Sequence, residues 1–599
     1  MCGIVGTIKY RDSGIIKIMN DRQFHRGPDS GGSYWNTENA IGFAMRRLGI
    51  VDLENGKQPM TNEDGKVILV FNGEIFNANC LREELIRKGH IFKTASSDTE
   101  VLVHLYEEYG TQMLHYLNGM FAFAIYDMIK KCVFMARDQM GIKPFHYIYD
   151  GHKLAFASEM KSLIAAGLSE QKINMQSLWQ YLSFQCVPAP MSIYEDIHVL
   201  PAAHYMVYNI ETDELDVKKY WNCIENREVY TGRPEEVQEY VRENVIHAVE
   251  RWTMSDVPLA CSLSGGLDSS VIAAIIAQKQ RLHTYTLGFC EPGQYDERYL
   301  ARQMAEKYGT IHEEIILTPD DLLKDLDQMI EALDSPYAGG LPSWFIYKQI
   351  QGQEKVAFNG TGGDELFGNY SKWLRYEHLV ERQRMYKLYK QYGEGCCEFI
   401  KYPNGSIYHK YFTENLKRQI LNEEYWGSNT NGIIEEMLQQ CPEKRWRDRI
   451  PFVDFKIQLP EEFLMMADRF SMNFSIEARV PFLDRVLVER ILGIPSEYRT
   501  RKYEAKYLLK ESMKEILPKG YLDAPKRGFV LPYKEWMYGK LRTQIKELCL
   551  GEFRKKQGIF GEELENKLIK PFLEGNEHFN ALVWTVLMFQ LWYQKNYVK

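Results

Sequence analysis

Apolar and polar positions change period along this chain, and the change divides it. In the N-terminal part, Val67–Phe71 and Asn118-Gly119-Met120-Phe121-Ala122-Phe123-Ala124 read as short strands set between turns. Farther on, Val237, Tyr240, Val241, Val245, Val249 and Trp252 fall at helical spacing within Glu235–Trp252. That helix leads into Val257-Pro258-Leu259-Ala260-Cys261-Ser262-Leu263, a buried strand, then a glycine turn, then the apolar helix Val271–Ala277. Leu282–Phe289 and Lys355–Asn359 repeat the buried-strand signal, so strands alternating with helices predict a parallel sheet. The late apolar run Ala581 to Tyr593 is broken by Thr585 and Gln590 and is too short to span a bilayer, so it reads as a core helix.

A chain of 599 residues exceeds one ordinary core. Two units are expected, 1–210 and 233–599, with the boundary between Pro201 and Gly232. Lys+Arg of 73 against Asp+Glu of 81 leaves a net charge of −8, which argues against a nucleic-acid or anionic-membrane binder. Eleven cysteines occur without CxxC pairs, and the adjacent Cys396-Cys397 fits neither a metal knuckle nor an ordinary disulfide. Reduced thiols and no signal peptide at the start make a soluble cytoplasmic protein the expectation.

The chemistry concentrates first at Ser264-Gly265-Gly266-Leu267-Asp268-Ser269-Ser270, between a strand and a helix start. Glycines there let backbone amides approach a phosphate, and the helix dipole favours its charge. No lysine follows, as it would in a Walker loop. A hydroxyl-rich cradle suits a departing pyrophosphate, with Asp268 available for Mg²⁺. Gly360-Thr361-Gly362-Gly363-Asp364-Glu365-Leu366-Phe367-Gly368 makes a second such turn after Lys355–Asn359, and Asp364 with Asp268 could share the ion. The alternative is a plain Gly-Ser turn and two unrelated helix caps. The first loop resembles the pyrophosphate loop of the N-type ATP pyrophosphatases. That resemblance implies an ATP site on Leu263, Ser264, Gly265, Gly266, Asp268, Ser269, Leu287, Asn359 and Gly360. Leu287 also reads as an ordinary core leucine.

At the other end stands Met1-Cys2-Gly3. Removal of the methionine would put a thiol and an α-amine on one residue, each titrating near neutrality, so the amine can serve as base for the thiol. His25-Arg26-Gly27-Pro28-Asp29, Arg46-Arg47-Leu48-Gly49-Ile50-Val51-Asp52, Phe71-Asn72-Gly73-Glu74 and Ser96-Ser97-Asp98-Thr99-Glu100 follow in order. Together these resemble the class II, N-terminal nucleophile, glutamine amidotransferase domain over roughly the first 200 residues. Asn72 and the N–H of Gly73 would donate to the oxyanion, Arg47 would take glutamine's carboxylate, and Asp98 with Glu74 its ammonium. Individually, Asn72-Gly73 reads as a hairpin turn, Arg47 as a surface charge and Asp98 as a helix N-cap.

Asp468-Arg469, Glu477-Ala478-Arg479-Val480-Pro481-Phe482-Leu483-Asp484, Lys506 and Pro525-Lys526-Arg527-Gly528-Phe529 resemble the helical part of glutamine-dependent asparagine synthetases. The resemblance then covers nearly the entire chain. It implies an α+β N-terminal domain of stacked antiparallel sheets between helices, then an α/β parallel-sheet domain with a helical C-terminal part. It also implies Lys506 at the reaction centre, where by itself it would be an exposed helix lysine. The substrates implied are glutamine, ATP with Mg²⁺, and an acceptor carboxylate activated as an acyl-adenylate. Ammonia would pass between the sites shielded from water. No nucleic acid or membrane partner is expected, and a homodimer is among the open assemblies.

One departure bears on the acceptor. Asparagine-making members carry an acidic residue where this chain has Thr361, and Asp334–Trp344 also departs around the aspartate pocket. Aspartate, another carboxylate such as a uronic acid of a surface polysaccharide, and a non-catalytic scaffold relative are the three readings.

Overall fold

The computed structural model describes residues 2–290, 297–368, 411–442, 449, 452–499, 504–523 and 533–598. Cys396-Cys397 and the 525–529 motif lie outside these residues.

Alternation in the first part produces two antiparallel sheets of six strands each. One sheet runs in the order β10 (His198–Val199), β8 (His146–Tyr149), β9 (Leu154–Ala157), β1 (Cys2–Ile8), β3 (Ile41–Arg47), β2 (Ser30–Asn36). The other runs β12 (Leu215–Lys219), β11 (His204–Asn209), β7 (Cys132–Arg137), β6 (Gly119–Asp127), β5 (Val67–Ile75), β4 (Met60–Thr61). Their inner faces meet through Ile4, Phe43 and Met45 against Ile68, Val70, Ala122 and Met135. Gly14–Arg22 packs on the first sheet and Asp98–Tyr109 on the second, which gives the layered architecture expected. The expected end of the first unit at 210 falls between β11 and its antiparallel partner β12.

β5 does not turn at Asn72-Gly73. It continues to Ile75, with Asn72 opposite Ala122 and Gly73 opposite Phe121, because all nine of its residues are buried and one face of the strand feeds each core.

The second part holds a five-stranded parallel sheet, β15 (Ile311–Leu317), β14 (His283–Phe289), β13 (Leu259–Ser262), β16 (Val356–Phe358), β17 (Glu477–Arg479). Both faces are covered, as parallel sheets require. Leu259 and Cys261 of β13 join the core with Val237–Arg251 and Leu267–Ala277, while Ala260 joins Ser343–Ile350 and Met465–Asn473 on the other side. β17 has two charged residues in three and carries no apolar pattern to announce it. The late apolar run is the helix Asn580–Tyr597, packed in the core, and no described helix is long and apolar enough to cross a membrane.

Candidate active sites

Strand register builds the first site. β1 places Cys2 opposite Arg47 of β3, and β5 packs against β1 from the facing sheet. The Cys2 N–H donates to Asn72 Oδ1 at 2.9 Å. That turns Asn72 Nδ2 away, fully buried and without a hydrogen-bond partner among the described residues. A buried, aimed, unspent amide donor beside a thiol is what an oxyanion needs. Burial pushes the Cys2 thiol up, against the pull of the chain's N-terminal charge and of Arg47.

Arg47 is buried and is no loose surface charge. Its Nη1 donates to Leu53 O at 3.1 Å and its Nη2 to Val51 O at 2.9 Å and Asp52 O at 2.8 Å. These bonds shape the loop after β3 and leave part of the five-donor fork for a carboxylate. Asp98 is likewise not an N-cap. Ser97 occupies that position, and Asp98 Oδ2 accepts the Ile75 N–H at 2.9 Å, joining helix to strand end. Burial raises the Asp98 carboxyl, and burial together with Asp98 and Glu477 raises Glu74 well above the ordinary range. Two buried carboxyls disfavoured as anions form a pocket that an ammonium group would relieve.

Glu477 arrives from β17, in the other half of the chain. Burial works against its charge, but the N-terminal charge, Arg479 at 2.7 Å and Lys143 hold it down at about 2. The Asn359 N–H donates to Arg479 O at 3.0 Å, so this three-residue strand touches both sites. Arg26, Glu159 and Asp468 close the same interface. The guanidinium is fully buried, bound to Asp468 at 2.7 and 3.0 Å and to Glu159 at 2.8 Å, and its Nε donates to Cys2 O at 3.1 Å. Motifs named from opposite ends of the sequence therefore meet as one ion cluster. Nothing in either motif alone disclosed the pairing.

The second site lies at the carboxyl ends of β13 and β16, where open parallel sheets place their ligands. Gly265 adopts φ +80°, and a Cβ there would meet Glu297 O at 2.7 Å. Ser264 Oγ accepts the Gly266 N–H at 3.3 Å and lies 3.0 Å from Ser269 Oγ. Tyr521, which no sequence signal marked, donates to Gly265 O at 2.6 Å and lies 2.6 Å from Ser270 Oγ. Lys506 is buried at φ +54° ahead of Tyr507–Met513, with its N–H on Gly368 O at 3.1 Å. Its ammonium pairs with Asp268 and, at 2.9 Å, with Asp364. Burial alone would lower the Lys506 ammonium, but the two aspartates raise it.

Ser264, Gly265, Gly266, Asp268, Ser269, Asn359, Gly360, Thr361, Asp364 and Lys506 all line one cavity of about 790 Å³. Leu263 and Leu287 are not on its described wall. Both are buried in the cores, Leu287 by strand alternation on β14.

Family comparison matches residues 1–221 to a glutamine amidotransferase domain and residues 240–594 to asparagine synthase. One half thus takes nitrogen from glutamine and the other uses ATP to place it on a carboxylate: a glutamine-dependent ligase. The chain is 31% identical to asparagine synthetase (glutamine-hydrolyzing) 1 of Bacillus subtilis (strain 168), across 100% of this chain and 97% of that one. It is 29% identical to asparagine synthetase (glutamine-hydrolyzing) 3 of the same organism, across 96% and 93%. It is also 26% identical to amidase chry2 of Gibberella zeae, across 92% and 91%. The chain belongs to the asparagine synthase family.

Proposed function

We propose that this protein makes L-asparagine from L-aspartate, glutamine and ATP through an aspartyl-adenylate, releasing AMP, pyrophosphate and glutamate. The observation carrying the adenylation step is the Asp268–Lys506–Asp364 bridge between two glycine loops that lack a Walker lysine. The names of the full-length relatives support aspartate as acceptor.

In the glutaminase half, removal of Met1 leaves the Cys2 amine as base for its own thiol, and the thiolate attacks the amide carbon. Asn72 Nδ2 and the Gly73 N–H receive the oxyanion. Arg47 holds the carboxylate, and Asp98 and Glu74 hold the ammonium. Ammonia leaves, and water hydrolyses the thioester. In the other half the acceptor carboxylate attacks the α-phosphorus and pyrophosphate leaves, with Lys506 meeting the charge that develops there; ammonia then attacks the acyl carbon of the adenylate and AMP leaves with the bridging oxygen.

The donor set fits Mg²⁺: two hard carboxylates face each other across loops that close only because Gly360 and Gly363 lack side chains. A Cβ at either would sit 2.7 Å from an Asp268 side-chain atom. Asp268 and Asp364 would hold the ion, whose charge neutralises pyrophosphate. The buried thiols Cys2, Cys223, Cys261 and Cys549 support a reducing, cytoplasmic setting. The first unit is best ended after β12, near 219, and the second begun near 233.

A second reading, amidation of a bulkier carboxylate such as a uronic acid, rests on Thr361. Its N–H is held by Asn359 Oδ1 at 3.0 Å and it lines, with a neutral hydroxyl, a cavity that Tyr411, Tyr533 and Trp584 also line. The deciding experiment is pyrophosphate release with aspartate and with galacturonate-type acids, by wild type and Thr361→Glu. Aspartate turnover accelerated by Thr361→Glu supports asparagine synthesis. Use of the sugar acid alone, weakened by the same substitution, supports the second reading. ADP and orthophosphate as products would refute both.

A further inference from the structure

Outside both sites, but partly on the helix that begins at Asp98, Glu63, His90 and His104 bring one ligand-type atom each to within 4.8 Å of one another. They come from three separate pieces of the N-terminal half: the turn between β4 and β5, the segment after helix Ala78–Arg87, and helix Asp98–Tyr109. Glu107 stands with them on that last helix. His104 Nδ1 lies 3.1 Å from Glu107 Oε2 and 3.6 Å from Glu63 Oε2, and His90 Nδ1 lies 3.8 Å from Glu107 Oε2. Four tetrahedral ligands at about 2.0–2.1 Å from zinc stand about 3.3–3.4 Å apart, so these spacings bracket that geometry.

The outward atoms of His90, Glu107 and Glu63 are already engaged. His90 Nε2 meets Glu108 Oε1 at 3.1 Å. Glu107 Oε1 accepts Asn62 Nδ2 at 2.8 Å, and Glu63 Oε1 accepts the Ile91 N–H at 3.3 Å. Behind His104, Glu100 Oε1 lies 3.8 Å from Nε2, and Glu100 is fixed by the Lys93 and Thr94 N–H groups at 2.7 and 2.8 Å. An imidazole backed by a carboxylate on its far nitrogen is how proteins orient a metal-binding histidine. Four carboxylates surround two rings here, with Lys88 on Glu108 at 3.1 Å and Lys93 on Asn62 O at 3.2 Å.

We infer that Glu63, His90, His104 and Glu107 form a binding site for one divalent transition ion of the zinc class, with Glu108 and Glu100 as its outer carboxylates. The ion ties the 88–94 segment to the helix that begins at Asp98, and its role is structural.

Co²⁺ titrated into the full-length protein, in the presence of excess Mg²⁺ to saturate the nucleotide site, reads the ligands directly. The expected result is one tightly held ion per chain with visible tetrahedral bands and no thiolate charge-transfer band. His90→Gln, at a half-buried position, and Glu63→Gln, at an exposed one, should weaken it at least about tenfold, Glu108→Gln by about 10–100-fold, and Asp268→Asn not at all. Zn²⁺ should raise the Tm of wild type and leave that of His90→Gln unmoved. Absence of stoichiometric binding, a thiolate band, or affinity unchanged in His90→Gln and Glu63→Gln would overturn the inference.

Discussion

In the glutamine half, Asn72, Glu74 and Asp98 are buried and sit on a strand or the first turn of a helix, fixed by sheet register. The nucleotide half presents its groups on two glycine loops around a cavity of about 790 Å³. The charge states differ as well. The first site holds carboxyls that burial has pushed up, whereas the second sets its own Lys506 between two aspartates. A register-built site can fix a small substrate whole. A loop-built site whose lysine and aspartates pair with one another can exchange those partners for a larger, charged ligand.

Four experiments sharpen or break this contrast. The largest effect belongs to Cys2→Ala, which should reduce glutamine hydrolysis by at least about 10⁴-fold, the scale of a lost nucleophile. Ammonia-dependent synthesis should survive, and its loss in a folded variant would end the two-site view.

Arg26→Met comes next. It removes the two-pronged partner of buried Asp468, leaving Arg469 at 3.7 Å, and one of several cations around Glu159; breaking a buried pair costs about 3–5 kcal/mol, readable by denaturant unfolding. Burial would raise Asp468, but Arg26 holds it below its ordinary value, and Glu159 is likewise depressed against burial, by Lys161, His25 and Arg26. Both are depressed carboxylates, so their stabilisation is complete above the unfolded values near about 4 and is lost as pH falls through the lower folded ones. Wild type should therefore lose stability in that acid window more steeply than Arg26→Met. Equal slopes would contradict the assignment.

Lys506→Met should cost about 10²-fold in pyrophosphate release, the scale of one electrostatic donor, with glutamine hydrolysis little changed in ammonia-free assays. A comparable fall in both activities would mean that the sites are not separable in this way. The smallest effect is expected for Tyr521→Phe, which frees the Gly265 carbonyl. Loss of the bond to the Gly265 carbonyl, at about 0.5–1.5 kcal/mol, with that to Ser270, which can turn to another acceptor, should raise KM for ATP by about 2–10-fold and leave KM for glutamine unchanged.

Periodicity located β13, β14 and β16 and the helices on either side of β13, because a strand covered on both faces is a continuous apolar run; it did not locate β15 or the helices between β14 and β16. It could not locate β17, whose Glu477 and Arg479 are charged and find their partners only across the chain. Asn72-Gly73 misled in the opposite sense. The pair favours a turn locally, yet β5 carries it straight through, because burial on both faces outweighs local preference.

The sequence by itself determined the candidate groups: a cysteine at position 2, two glycine-rich strand ends with aspartates, and the order of the motifs around them. These were legible because phosphate loops and N-terminal nucleophiles depend on contiguous residues. Only the tertiary structure decided which charges meet. Arg26 with Asp468, Glu74 facing Glu477, Tyr521 on Gly265 and His90 beside His104 each join segments distant or separately folded in the chain. The physical reason is that ion pairing and hydrogen bonding act through space over a few ångströms, and that proximity is created by burying the apolar faces first.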